Sequence, residues 1–464
     1  MQDLYFPFDK IKRGSNVILY GAGENARKLW RMNQETSWCK IVACVDQKYE
    51  KIDDFPIHVD SPTVLCEISY DYVLISLMDE MQRNAVVDYL LGQNIPKWKI
   101  INVFLRSEKM ILYLEEKRDG DCLRIGFHPM GVIGDCIISL KVYQEIVRLT
   151  DGQCEIDILN EYNLSFMKSV FYGQKCIHEI VNGDGEIKEA MLRNYDLVLD
   201  VRFEPSIVSL NLGRVEKLAP KLAHSMDILQ SYQRHEYVDL PFFPYANRIL
   251  LDRAKFLGLN RYTLFNVSKA FDIKDTNVDF YIDAQYESMF KSLELGAPYI
   301  TYNFGANNQF KDGKKQTKMW PYEYHMELNR ILKKNYPKIK IVQLGAANVE
   351  KIPGADRYIL GKPLDVVKYV LKNSMFHFDC EGGLVHMASQ LGTKCFVVFG
   401  PTPAWFLGYK NNENILPEIC GECKGLRKDW YTQCYKYDRP ECMYSIKPEK
   451  VFGLMSNYLH DQGY

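Results

Sequence analysis

The sequence predicts an α/β fold: two tandem Rossmann-like halves facing a cleft, a smaller Rossmann-like α/β domain ahead of them, and a cysteine knuckle near the C-terminus. Three observations carry this reading. Short apolar strands alternate with helical patterns along the chain, which implies parallel βαβ units. The series restarts twice, so 464 residues divide into about three domains, each long enough to bury a core. Glycine-bearing turns sit between a strand and a helix in each segment, gathering backbone N–H groups where a phosphate can be held.

Residues 1–117 form the first segment. Its strands are Val17–Tyr20, Ile41–Val45 and Tyr72–Leu77, with a helical stretch starting at Glu24. Gly21-Ala22-Gly23-Glu24-Asn25-Ala26 follows the first strand and opens that helix, and Asp46 ends the next strand. This is a relaxed form of the dinucleotide fingerprint, whose acid stands about 20 residues on. Gly21, Gly23 and Asp46 are therefore the candidate nucleotide residues of this domain. The first 105 or so residues also resemble the small Rossmann-like modules found on polysaccharide-biosynthesis proteins. That resemblance implies a glycine turn that need not hold a dinucleotide, so a nucleotide site and a structural or assembly role both stand.

A charged stretch, Arg106 to Asp121, separates this domain from residues 118–290, whose strands are Leu123–Phe127, Cys154–Leu159 and Tyr195–Val201. Residues 291–464 repeat the pattern with Pro298–Tyr302, Ile339–Leu344 and Cys395–Phe399. Tandem halves of this kind leave a cleft at the C-terminal ends of their strands. The run Phe376-His377-Phe378-Asp379-Cys380-Glu381-Gly382-Gly383-Leu384-Val385-His386, closed by Phe399-Gly400-Pro401-Thr402, reads as its nucleotide-binding turn.

Five pieces of residues 122–464 together resemble glycosyltransferase family 9, the heptosyltransferase-like group with the two-domain GT-B fold. They are Met130-Gly131-Val132-Ile133-Gly134-Asp135, Lys318-Met319-Trp320-Pro321, Glu381 to Ala388, Phe399 to Thr402, and Cys442 to Val451, in the family's order. The resemblance implies an inverting, metal-independent transfer of a sugar, a heptose, from a nucleoside diphosphate, most commonly ADP. The acceptor it implies is a lipopolysaccharide, capsule or protein.

By that resemblance Asp135 is the general base that takes the acceptor's proton; from the residues alone it equally suits a helix N-cap. Lys318 occupies the Lys-x-Trp-Pro position whose amine stabilises charge on the departing diphosphate, whereas Lys311, Lys314 and Lys315 read as a solvated face. Asn303, Gly305 and Ala306 are placed to offer amides to the same phosphates, together with Gly382, Gly383 and the Gly400-Pro401-Thr402 loop. A lone His is most often structural, yet His386, in the first turn after two glycines, can donate to a phosphate oxygen. Glu381 stands where the family commonly has Asp, and Gly382 where it commonly has Ser. Asp379 is expected to point to the opposite side of the strand end. Asp119-Gly120-Asp121 matches a metal-binding Asp-x-Asp string, but in a charged linker, and is not expected to serve catalysis.

Cys420, Cys423, Cys434 and Cys442 are spaced C-x2-C-x10-C-x7-C. Four thiolates in a polar segment suit structural Zn or Fe; reduced thiols are the other reading. The aromatic and basic residues between them, Lys424, Arg427, Lys428, Trp430, Tyr431 and Tyr435, match a nucleic-acid surface and an acceptor rim equally well.

Lys plus Arg number 58 against 59 Asp plus Glu, so no basic field argues for nucleic acid. The N-terminus lacks the basic and apolar regions of a signal peptide, and no apolar run nears the ~18 residues of a spanning helix. The expected protein is cytoplasmic, peripheral at the inner membrane where its acceptor is lipid-linked, and needs no cofactor for catalysis. Two other readings are an NAD-dependent sugar oxidoreductase or epimerase using the first domain, which lacks an evident Tyr-x-x-x-Lys, and a non-catalytic metal-knuckle binding protein.

Overall fold

A computed structural model describes residues 4–8, 10–77, 79–102, 104–105, 111–114, 120–129, 131–160, 164–182, 192–235, 246–296, 298–304, 317–427 and 429–464. Gly305, Ala306, Lys311, Lys314, Lys315, Asp119 and Lys428 lie outside the described residues. The chain divides into two compact units, one running to residue 110 and the other comprising most of the chain from Ile111 onward.

The first unit holds β1 (Leu4–Tyr5), β2 (Asn16–Tyr20), β3 (Lys40–Val45), β4 (Val59–Asp60), β5 (Tyr72–Ile75), β6 (Ile100–Asn102) and β7 (Phe104–Leu105). Strands β4-β3-β2-β5-β6 make one sheet, parallel throughout. Val17, Ile18 and Leu19 are wholly buried, as expected for a central strand covered on both faces. The β1–β7 pair is a separate antiparallel ribbon.

The second unit contains two six-stranded sheets. The first comprises β8 (Leu112–Tyr113), β9 (Leu123–Pro129), β10 (Cys154–Asn160), β11 (Ile177–Asn182), β12 (Leu197–Val201) and β13 (Pro205–Leu210), ordered β11-β10-β9-β12-β13-β8. Only the β12–β13 pairing is antiparallel. The second comprises β14 (Tyr299–Asn303), β15 (Lys340–Gly345), β16 (Arg357–Leu360), β17 (His377–Cys380), β18 (Cys395–Val398) and β19 (Glu413–Ile415), all parallel, ordered β16-β15-β14-β17-β18-β19. Counted within this half the order is that of a doubly wound dinucleotide fold, with its switch point between β14 and β17. In the other half the corresponding crevice lies between β9 and β12. Tandem Rossmann-like halves in the GT-B manner are thus present as the sequence predicts, though strand ends shift by one or two residues.

One continuous buried cluster runs through both halves, from Phe127, Ile137 and Tyr143 to Val342, Val367 and Met387. A charged side chain is embedded in the same junction. Lys368, on the helix Leu364–Lys372, is wholly buried. Its amine donates to the backbone carbonyls of Ser169 and Tyr281 and to Asp365 Oδ1, and it lies 4.6 Å from the centre of the Phe280 ring. A buried ammonium is tolerated only with such a set of acceptors. Among the described residues no helix is long and apolar enough to cross a membrane.

Removing the amine strands Asp365 and two carbonyls in a water-poor junction. Lys368→Ala is expected to cost about 3 kcal/mol of stability, read from the denaturant midpoint; an unchanged midpoint would show that the junction does not depend on this cation.

Candidate functional site

The two switch points of the second unit meet. The helix Ile133–Leu149 leaves the β9 turn, and the helix Gly383–Gln390 leaves the β17 turn. A Cβ on Gly383 would lie 2.3 Å from Ile133 Cγ2, and one on Gly134 would lie 2.8 Å from His386 Cδ2. The glycines therefore permit two helix N-termini to approach closely, and each brings unpaired N–H groups and a partial positive charge.

Asp135 is the third residue of its helix, beyond the cap position taken by Val132, and no side-chain cap bond forms there. The N-cap reading of Asp135 fails on this geometry. Its carboxylate instead packs on Gly131, where φ is +100° and a Cβ would lie 2.4 Å from Asp135 Oδ2. Across from it stands Arg261, almost wholly buried, with Nη2 4.0 Å from Asp135 Oδ1 and 3.1 Å from the Arg202 carbonyl. The guanidinium stacks on Phe203 at 4.6 Å and Phe265 at 5.1 Å, and Nη1 has no hydrogen-bond partner among the described residues. Arg261 is a site residue that the sequence motifs do not single out; it lies in no glycine turn and only the packed structure brings it to Asp135.

On the opposite side Lys318 and Glu381 pair at 3.4 Å. Burial pulls the Lys318 amine down, but Glu381 outweighs it and leaves the amine above its ordinary value. Burial likewise raises the Glu381 carboxyl, and Lys318, Lys424 and His386 together more than offset that, leaving it below the usual range. Lys318 is held by its neighbours: Trp320, buried, donates its backbone N–H to Cys380 Sγ and its indole N–H to the Ile446 carbonyl. The Lys-x-Trp-Pro motif is thus an anchor two residues beyond its amine, with Pro321 capping the helix Tyr322–Asn335.

His386 belongs to a hydrogen-bonded chain that reaches from one half into the other. Gln390 Nε2 donates to Tyr262 Oη at 3.0 Å, Tyr262 Oη lies 2.6 Å from Tyr409 Oη, and Tyr409 Oη lies 2.7 Å from His386 Nδ1. Gln390 Oε1 accepts from Val278 N, which fixes the amide orientation. With that donor at one end, the polarity that gives each tyrosine proton an acceptor runs from Tyr262 to Tyr409 to His386 Nδ1, so Nδ1 accepts and the ring proton sits on Nε2. Burial lowers the imidazole to about 4, against Glu381 and Asp135, which pull it up. At neutral pH the ring is an uncharged Nε2–H donor in the first turn of its helix.

Other expected ligands have partners inside the protein. The Asn303 amide donates to both oxygens of Asp379 at 3.2 and 3.1 Å. Asp379 is buried beside His377, and burial raises its carboxyl despite these bonds. Gly400 packs on Met443, since a Cβ there would lie 2.3 Å from Sδ. Thr402 Oγ1 is buried with no partner among the described residues. Gly382 precedes the helix in extended backbone.

Cys420, Cys423, Cys434 and Cys442 are all unpaired and lie close enough that burial and the other thiols raise Cys442 to about 12. Among the described residues, however, no three His, Cys, Asp or Glu side chains stand in a metal-holding arrangement. The four sulfurs form a thiol cluster and not a coordination shell.

In the first unit the glycine turn closes on itself. Gly21 has φ +97° and a Cβ there would lie 2.6 Å from Ser76 Oγ. Asp46 Oδ2 accepts from Ala22 N at 2.9 Å and Oδ1 from Lys48 N at 2.8 Å. The acid expected to face a ribose thus binds the turn itself, beside Gly23 at the head of the helix.

No family model matches the chain. Among solved structures, the ADP-heptose LPS heptosyltransferase II of E. coli is similar over 74% of this chain and 100% of its own, with 13% identity and a TM-score of 0.46. A glycosyl transferase family 9 protein of Veillonella parvula is similar over 73% and 97%, with 14% identity and a TM-score of 0.46. The iron-containing dodecameric glycosyltransferase TibC of enterotoxigenic E. coli is similar over 78% and 79%, with 12% identity and a TM-score of 0.48. A curated protein, serine carboxypeptidase-like 42 of Arabidopsis thaliana, is 24% identical over 188 residues, which span 35% of this chain and 38% of that protein.

The hydrogen-bonded chain is open to direct measurement. Imidazole 15N shifts of His386 are expected to report the Nε2–H tautomer, neutral down to about pH 5, because the folded ring takes up its proton only near 4. Tyr409→Phe removes the donor to Nδ1 and is expected to mix the tautomers; a titration near the ordinary histidine value, or an unchanged tautomer in Tyr409→Phe, would contradict this geometry.

Proposed function

We propose that this protein is an inverting, metal-independent glycosyltransferase of the family 9 type, moving a sugar from a nucleoside diphosphate to a hydroxyl acceptor. The observation that carries the reading is the pairing across one gap of Asp135 and the N-terminus of its helix, on one half, with Lys318, Glu381, His386 and the N-terminus of the helix Gly383–Gln390, on the other. The order of the five motifs supports it independently.

In this mechanism Asp135 takes the proton of the acceptor hydroxyl while that oxygen attacks the anomeric carbon from the face opposite the diphosphate. The bond from the anomeric carbon to the phosphate oxygen breaks with inversion, and the electron pair leaves on the diphosphate. Negative charge therefore develops at the helix Gly383–Gln390, where its first N–H groups, His386 Nε2–H and Lys318 are aimed. Arg261 acts on Asp135: a buried cation 4.0 Å away orients the carboxylate between turnovers. Glu381, released from Lys318 as the diphosphate takes up the amine, becomes an acceptor for sugar hydroxyls.

The sugar is assigned as a heptose, with ADP as nucleotide, from the motif resemblance; the acceptor class is a lipopolysaccharide, capsule or protein. A site on the cytoplasmic face of the inner membrane suits this reaction, and thirteen unpaired cysteines fit a reducing compartment. The first unit is assigned a structural or assembly role, supported by Asp46 bonding its own turn. For the cysteine cluster, bound Zn or Fe would require the four sulfurs to draw together around the ion.

Asp135→Asn is expected to lower transfer from ADP-heptose by about 100- to 10,000-fold while ADP binding, measured by calorimetry, stays near the unmutated value. Unchanged transfer removes Asp135 as the base. Elemental analysis of protein purified without chelator is expected to find about one Zn or Fe per chain where the cluster is a metal site; about zero leaves reduced thiols.

A further inference from the structure

The cysteine-bearing segment is fastened to both loops of the donor site. Glu422 N donates to the Gly400 carbonyl and Lys424 N to the Pro401 carbonyl, each at 2.9 Å. On the other side Thr317, next to Lys318, donates its backbone N–H to the Tyr431 carbonyl and its hydroxyl to the Trp430 carbonyl, again at 2.9 Å. Four hydrogen bonds thus tie residues 422–431 across the loop of Lys318 and the loop of Gly400 to Thr402. The segment also reaches the other half, where Arg248 Nη1 donates to the Glu422 carbonyl at 3.0 Å.

From this strap the Lys424 side chain enters the opening. Its ammonium lies 5.8 Å from the centre of the Phe203 ring, whose other neighbour is Arg261, and 5.7 Å from that of Trp430. It makes no hydrogen bond or ion pair to a described residue, yet it feels the carboxylates of Glu381 and Asp135 and the cations Lys318 and Arg261. Among the described residues no carboxylate or carbonyl takes up this charge. Three cations converging on two carboxylates and two helix N-termini leave an excess of positive potential, and a group carrying two or three negative charges would neutralise it.

Resting on the glycosyltransferase reading, we propose that Lys424 is a second donor-binding lysine, which with Lys318 clamps the diphosphate from the side of the cysteine strap. The strap is then part of the donor site: its backbone sets the distance between the two amines, and its lysine contacts the phosphate oxygens that leave with the nucleotide.

The test compares ADP with AMP by calorimetry on the full chain, in the unmutated protein, Lys424→Met, Lys424→Arg and Lys318→Met. Loss of one charge-assisted contact to a phosphate predicts that Lys424→Met weakens ADP by about 10- to 100-fold, leaves AMP within a few-fold, and is partly rescued in Lys424→Arg. Unchanged ADP affinity in Lys424→Met, with ADP weakened in Lys318→Met, overturns this inference and leaves the glycosyltransferase reading standing. Equal losses for ADP and AMP with a lowered melting temperature would make Lys424 a structural residue, and also overturn it. Should the unmutated protein bind none of ADP, GDP or UDP, the donor reading falls and this inference with it.

Discussion

The site depends on one steric constraint: two glycines, Gly134 and Gly383, at the heads of two helices that belong to different halves. A side chain at either position would collide with Ile133 or His386. Because neither carries one, the two helix N-termini converge on a single gap, and their partial positive charges add there. Such a gap is unfavourable when empty of negative charge. Asp135 and Glu381 supply it in the free protein, and a diphosphate would supply it during turnover. The charge arrangement therefore follows from how closely the two backbones approach.

That convergence also explains why the other polar groups are tied down. Burial lowers the His386 imidazole despite the pull of Glu381 and Asp135, and the nearby cations Arg261 and Lys318 add to that effect. The chain Gln390–Tyr262–Tyr409–His386 orients the neutral ring with its proton on Nε2, and because Tyr262 and Tyr409 come from different halves, the same hydrogen bonds fasten the halves together. Lys368 performs a similar task elsewhere in that junction, joining Ser169 and Tyr281 to Asp365 through a single amine. Binding chemistry and interdomain packing draw on one set of contacts.

The first unit shows how little a glycine turn says by itself. Gly21 has the positive φ and the close neighbour that such turns require, but the adjacent amide donates to Asp46 and not to a ligand. In the second unit the amides at Gly383 have no carboxylate of their own strand end folded onto them, since Glu381 turns to Lys318 and Asp379 to Asn303. The difference between a turn that is satisfied internally and one left open to a phosphate lies in where one acid side chain points.

Much of this was legible in the amino-acid order. Apolar runs of strand length, β-branched and flanked by turns, announced the central strands, because burial on both faces leaves no room for alternation. Gly134, Gly383, Lys318 and Asp135 could be named because their spacing to a strand end is local, set by backbone geometry over a few residues. Arg261, Tyr262 and Tyr409 could not, since their partners stand far away in sequence: Tyr262 and Tyr409 are 147 residues apart. The side-chain partner of Asn303 was hidden for the same reason, Asp379 lying 76 residues on. Local order determined which groups stand at the strand ends; which of them face one another, and which charges remain unanswered, was decided only when the two sheets packed and brought distant segments into hydrogen-bond range.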